Sequence, residues 1–238
     1  MISRDVSDRK HLERQIARLD RLTVIGEMAA GISHEVRNPL TTVRGFLQRL
    51  SEKTECNSFK EYFEIMIGEI DRANSIISEF LTIGRTHAPG RKVHNLNTIV
   101  SVLYPLIEAD AIGQDKRVLL ELDNVPNFFV DDKEIRQIIL NLARNGLEAM
   151  TAGGVLTLKT YTKAEQVVLS VQDKGCGIPP YVMEKIGTPF FTTKEQGTGL
   201  GLAVCYGIAS RHKASIHIDS SSSGTTMSVK FPSYIESV

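Results

Sequence analysis

The 238-residue chain has no surplus of either charge, since 28 Lys and Arg stand against 28 Asp and Glu. A balanced field gives no purchase on a polyanion, so nucleic acid is not an expected partner. Cysteine is scarce. Cys56, Cys176 and Cys205 are odd in number and far apart, which suits neither a disulfide framework nor a zinc site and points to a reducing compartment. Long apolar runs are missing too. No stretch approaches the roughly 20 residues that span a bilayer, and Met1 to Lys10 lacks the apolar core of a signal peptide. A soluble, cytoplasmic chain that makes no membrane contact of its own is expected. Its charged helical opening looks like a linker entered from something upstream, so the chain is expected to be a fragment whose parent could be anchored in a membrane.

What is present is ordinary globular composition, 42% hydrophobic and 24% charged, enough for one or two packed domains. Apolar residues recur in steps of three and four from Leu12 through Val36, Leu40, Val43 and Leu47 to Leu50, which predicts one long helix with a narrow seam. A second seam runs from Phe59 through Phe63, Met66, Ile70 and Ile77 to Phe80. The short polar connection Ser51 to Ser58 makes the two an antiparallel hairpin. Two helices alone bury too little to be stable, so two hairpins are expected to pair into a dimeric four-helix bundle. Pro89 and Gly90 end the helical pattern. Beyond them helices (Leu96 to Ala111, Lys133 to Met150, Gly201 to His212) are interspersed with strands (Arg117 to Leu122, Val155 to Thr162, Val167 to Gln172, Ser215 to Asp219, Thr225 to Phe231). This predicts an α+β sandwich with helices on one face of a mixed sheet.

Four constellations carry chemistry. His34 lies between seam positions Ile32 and Val36, about 200° round the helix, and so points outward. A neutral imidazole is a competent nucleophile, and the neighbouring Glu35 can accept the hydrogen bond that strengthens it; Asn38 lies one turn on, beside Pro39, which should bend the helix. A plain surface histidine before a proline is the alternative. Asn141 and Asn145 are four apart, so both amides leave one face of the helix capped by Asp131 or Asp132. Amide oxygens suit Mg2+ bound chiefly to phosphate and water, although solvated asparagines look the same. Asp173-Lys174-Gly175-Cys176-Gly177 follows an apolar strand. Its glycines allow close approach to a flat ligand and its carboxylate can accept from the exocyclic amine of adenine; an ordinary strand-ending turn is the competing reading. Gly197-Thr198-Gly199-Leu200-Gly201 opens an apolar helix, and its amides can cradle phosphates. The spacing matches neither the Walker A loop nor the dinucleotide fingerprint. Pro189 to Lys194, between the last two, could latch a lid or merely pack.

In this order these segments resemble the histidine kinase family of two-component systems. His34 to Leu40 looks like its H box, Asn141 to Glu148 its N box, Asp173 to Gly177 its G1 box, Pro189 to Lys194 its F box and Gly197 to Leu202 its G2 box; Gly224-Thr225-Thr226 is similar to its last, weaker box. In overall character the chain looks most like the sporulation sensor kinases of spore-forming bacteria. The resemblance implies a dimerisation and histidine phosphotransfer domain followed by a Bergerat-type ATP-binding α/β sandwich. The division expected is a signalling helix or linker at 1–27, the phosphotransfer domain at 28–86, a hinge at 87–93 and the ATP-binding domain at 94–234. It further implies ATP and Mg2+ as ligands, with the metal at Asn145 and Asn141 and nucleotide contacts from Asp173, Gly175, Gly177, Lys194, Gly197, Thr198, Gly199, Leu200, Gly201 and Thr225. His34 would take the phosphoryl group, Glu35 would orient or deprotonate it, and Asn38 would help strip phosphate from the partner. Implied partners are a second copy of the chain, a response-regulator receiver domain and a protein inhibitor docking on the bundle. A water-activating glutamate of the hydrolysing relatives is replaced by Asn141, which argues for a kinase. A nucleotide-binding scaffold, or an ATPase or serine kinase of the same superfamily, are the rival readings.

Overall fold

The structure, a computed structural model, describes residues 36–53, 58–83, 90–194 and 197–233. It divides into two compact units, Met1–Arg85 and Thr86–Val238. No helix among the described residues is long and apolar enough to cross a membrane.

In the first unit, helix α1 (residues 36–51) and helix α2 (Lys60–Ile83) form a hairpin. Arg44 grips Asp71 with two parallel bonds, Nε to Oδ1 at 2.7 Å and a terminal nitrogen to Oδ2 at 3.1 Å. That fork holds the exposed Asp71 carboxyl below its usual pKa. Arg37 reaches Ser78 Oγ at 3.4 Å. Stepping back from residue 44 to 37 on α1 thus steps forward from 71 to 78 on α2, the signature of antiparallel helices. The half-buried positions of α1 are Arg37, Leu40, Arg44, Leu47 and Ser51, whereas Val36, Val43, Phe46 and Leu50 are exposed. The sequence seam therefore merges two stripes: one faces α2 and the other faces away from it. Phe59, just before α2, and Tyr62 and Met66 on it are likewise exposed.

The second unit is a five-stranded sheet carrying three long helices. Strands β2 (Arg117–Leu122), β4 (Val155–Lys163), β5 (Gln166–Asp173), β7 (Gly224–Pro232) and β6 (Ser215–Ser221) lie side by side in the order β2-β4-β5-β7-β6. Only the β2–β4 pair is parallel. Helix α3 (Leu96–Ile112) packs on β2, α4 (Asp132–Ala149) on β4 and β5, and α6 (Gly201–Arg211) on β6. Ile135, Ile138, Ile139, Leu142, Ala143 and Leu147 of α4 are buried, the spacing of one helix face. Register places Leu158, Val171, Met227 and Ile218 in one row across the sheet, and the alternate positions carry Lys159, Ser170, Ser228 and His217.

Two differences from the sequence reading stand out. Lys92–His94 forms strand β1, paired antiparallel with β3 (Phe128–Val130) in a separate two-stranded sheet; Lys92 and Val93, expected in the hinge at 87–93, are thus paired strand. The short helix α5 (Pro180–Met183), opened by Pro179 and Pro180, also lies outside the expected elements. Both are too short to show a period.

Candidate functional site

Helix α4 carries the centre of the site. Asp131 caps it, Oδ1 accepting from the amides of Lys133 at 2.9 Å and Glu134 at 3.2 Å, so the cap is Asp131 and not Asp132. About four turns on, Asn145 Oδ1 accepts from Lys194 Nζ at 3.3 Å, and the same ammonium is paired with Glu148. Asn141 is used differently from the expectation that it joins Asn145 on a metal. Its Oδ1 accepts from Gln137 Nε2 at 3.1 Å and its Nδ2 donates to the Gly201 carbonyl at 3.0 Å. The amide thereby ties α4 to the first residue of α6.

At the end of β5, Asp173 is 7% exposed. Its Oδ1 accepts from the amides of Gly175 at 2.9 Å and Thr225 at 3.2 Å. Burial pushes the carboxyl pKa up, and those two amides offset only part of the push. The turn that follows is pressed against its neighbours. Gly177 has φ +73°, and a Cβ there would lie 1.9 Å from the Ser221 carbonyl oxygen, so no other residue fits. Cys176 N reaches the Ala149 carbonyl at the end of α4. Across the turn, Ile178 N donates to Ser220 Oγ at 2.8 Å and Ser220 Oγ lies 2.9 Å from Thr225 Oγ1.

The glycine loop shares the same wall. Gly199 has φ +67° and a Cβ would stand 2.5 Å from the Phe190 backbone; its carbonyl accepts from Phe190 N at 3.1 Å. Thr198 Oγ1 accepts from Leu200 N at 3.3 Å. Helix α6 starts immediately after, with no side-chain cap at Leu200. Its first amides are therefore open to an anion, where the helix dipole favours negative charge. Lys194 is anchored by its backbone, its N–H to Thr192 Oγ1 at 3.1 Å and its carbonyl to Gly197 N at 3.2 Å. The fold thus brings Asn145, Asp173, the uncapped end of α6 and Lys194 to the edge of α4: a buried carboxylate for a polar base edge, open amides for anions and two hard oxygens beside a cation.

The sequence model of the His Kinase A (phospho-acceptor) domain matches residues 24–89, and that of the histidine kinase-, DNA gyrase B- and HSP90-like ATPase matches residues 130–235. The chain belongs to the histidine kinase family. The chain is 36% identical over 239 residues to sporulation kinase C of Bacillus subtilis (strain 168), covering 96% of this chain and 55% of that protein. It is 37% identical over 236 residues to sporulation kinase A of the same organism, covering 98% of this chain and 38% of that protein. The chain spans about half or less of the length of these curated relatives. Among solved structures, the histidine kinase ThkA in complex with response regulator protein TrrA superposes with a TM-score of 0.62 at 28% identity, over 94% of this chain and 66% of that one.

Of the other residues singled out from the sequence, Asn38 lies exposed on α1, its carbonyl accepting from Thr42 Oγ1 at 3.1 Å. His34 and Glu35 lie outside the described residues. Three features went unread. Ser220 stitches the Asp173 turn to β7. Gln137 fixes the orientation of Asn141. A buried block joins α4 to the far end of α6: Glu134 pairs with Arg211 Nε at 2.9 Å and lies 3.3 Å from His212 Nδ1, and His212 Nε2 accepts from Asp131 N at 3.1 Å. Nothing local marked the last of these, because the partners of Glu134 are 77 and 78 residues away in sequence.

Proposed function

We propose that the chain is the catalytic core of an ATP-dependent protein-histidine kinase, which phosphorylates His34 and passes the phosphoryl group to an aspartate of a response-regulator receiver domain. The likeness to sporulation kinases supports a place in a two-component system or phosphorelay of sporulation, working in the cytoplasm. One observation carries the nucleotide reading. Asp173 is a buried carboxylate with Oδ1 held by two backbone amides, so Oδ2 is left to accept from the amine of adenine. Guanine presents a carbonyl at that position and would be refused.

With the base held there, the phosphates run along α4 towards the open amides of Gly201 and Leu202 and the side chain of Lys194. The Asn141–Gly201 bond keeps those amides registered against Asn145. Asn145 and Glu148 fit Mg2+, because their two hard oxygens already share one cation, the Lys194 ammonium. When bound, the metal would offset phosphate charge. The His34 ring nitrogen attacks the γ-phosphorus and the bond to the ADP oxygen breaks. Glu35 holds the opposite ring N–H, keeping the attacking nitrogen unprotonated and stabilising the imidazolium that forms. Positioning supplies most of the rate. Asn38, one turn from His34, would orient water against the partner's aspartyl phosphate.

The apolar stripe of Val43, Phe46, Leu50, Phe59, Tyr62 and Met66 supports a homodimer, since a two-helix hairpin that leaves such a stripe in water is not a stable fold. The paired hairpins would make a four-helix bundle, on whose surface a protein inhibitor could also dock. The decisive experiment is incubation with labelled ATP and Mg2+. Acid-labile, alkali-stable label is expected on wild type and none on His34→Gln; label that survives in His34→Gln, or that resists acid, refutes the assignment.

A further inference from the structure

Lys194 makes two contacts that together resemble metal coordination. Its Nζ donates to Asn145 Oδ1 at 3.3 Å and is paired with the Glu148 carboxylate. Asn145 and Glu148 are three residues apart on α4, so their oxygens project from one face of the helix, and a single point charge can serve both. Lysine suits this role. Its compact ammonium has three donors and a flexible stem, whereas a guanidinium is planar and would demand a fork. The backbone of residue 194 is fixed on both sides, by Thr192 Oγ1 and Gly197 N. The side chain itself has four rotatable carbon–carbon bonds with which to reach a second partner. Among the described residues, a second cation paired with Glu148 is Arg144, whose Nε is 3.8 Å from it; the Arg144 side chain is 74% exposed and screened by water.

We infer that Lys194 is a built-in stand-in for the divalent cation, its ammonium occupying the Asn145–Glu148 pair when no metal is bound and being displaced towards the phosphates when one arrives. The inference rests on the nucleotide reading above. Glu148 is the reason such a stand-in is needed: an uncompensated carboxylate beside the phosphate path would repel a nucleotide that came without its metal. With Lys194 in place, nucleotide can bind before the metal, and the displaced ammonium then adds a positive charge beside the terminal phosphates instead of competing for the same oxygens.

The test is calorimetric titration of the full chain with the non-hydrolysable analogue AMPPNP, in EDTA and in saturating Mg2+, so that no turnover is involved. For Lys194→Met the affinity in EDTA should fall about tenfold or more, the scale of one lost charge-assisted contact. In Mg2+ the fall should be clearly smaller, so the stimulation of binding by metal rises relative to wild type. The double variant Lys194→Met/Glu148→Gln should recover most of the metal-free affinity, because the unpaired carboxylate is gone. A merely structural defect would not be rescued in that way. Equal losses with and without Mg2+ would make Lys194 a simple phosphate ligand and overturn the stand-in role, as would a double variant no better than the single one. If wild type itself binds no AMPPNP under either condition, it is the nucleotide reading that fails.

Discussion

Replacing Asp173 by asparagine separates what the site needs from what the fold needs. The carboxylate is 7% exposed, and burial raises its pKa above the ordinary 3.8. A carboxyl whose pKa is raised by folding holds its proton more tightly in the native state than in the unfolded chain. Stability therefore declines as pH rises from 3.8 through the raised native value, and at neutral pH the ionised group is a standing penalty. Asparagine keeps an Oδ1 to accept from Gly175 N at 2.9 Å and Thr225 N at 3.2 Å and carries no charge. Asp173→Asn should melt at or above the wild-type temperature at neutral pH. Nucleotide binding should go the other way. The new –NH2 sits where Oδ2 was, so two donors face each other across the adenine edge. Flipping the amide does not help, because it would turn the –NH2 onto two backbone N–H groups. Loss of a hydrogen bond to a charged acceptor is worth about 1.5–3 kcal/mol, or roughly 10- to 150-fold in Kd for ATP. The same –NH2 complements the guanine carbonyl, so the preference for ATP over GTP should shrink as well. Titration calorimetry with both nucleotides, together with melting curves from acid to neutral pH, reads all of this at once. Wild-type ATP affinity in Asp173→Asn, or a markedly lower melting temperature, would refute the reasoning.

The remaining expectations concern other parts of the molecule. His34→Gln should bind Mg-ATP like wild type and never label, while Asn145→Ala should fail to label because its phosphates are no longer held in line; autoradiography after acid and alkali washes distinguishes the two from wild type, and normal labelling of Asn145→Ala would dismiss the metal site. Burial lowers the His212 pKa below 6.5 against the opposing pull of Glu134, so the stability contributed by its neutral form should be complete above 6.5 and lost as pH falls below it. Melting temperatures across that window should drop in wild type, and a flat profile would contradict the neutral assignment. Gly177→Ala should destabilise the protein by about 1–2 kcal/mol for the left-handed backbone alone, with more from the contact with Ser221, and should weaken ATP binding; chemical denaturation with a parallel nucleotide titration measures both.

How much of this was legible in the sequence follows from how far each interaction reaches along the chain. The turn after Asp173 and the loop at Gly199 were readable because backbone closeness leaves only glycine, and glycine shows in any sequence. The long elements were readable from period, as in the buried face of α4. Asn141 was readable as sharing a helix face with Asn145, but its tie to Gly201 was not, since that partner lies 60 residues on. Strands β1 and β3, three residues each, are too short for alternation to register. The Glu134, Arg211 and His212 block was hidden for a different reason. Buried charges are outnumbered by solvated ones, and only the packing of α4 against α6 says which these are.

That block and the cap of α4 also fix where the chain enters the second unit. Gly90 N hangs from Asp131 Oδ2 at 3.0 Å, and Arg91 donates to the Arg211 carbonyl, so the segment leading into the unit is bolted to the foot of α4 and the tail of α6 together. Helix α4 is 18 residues long, about 27 Å at 1.5 Å per residue, and its upper end carries Asn145 and Glu148. One straight element therefore carries the Gly90 anchor at its first turn and the Asn145 and Glu148 oxygens at its last, and the Asn141 tie joins the mouth of α6 to it near the same end.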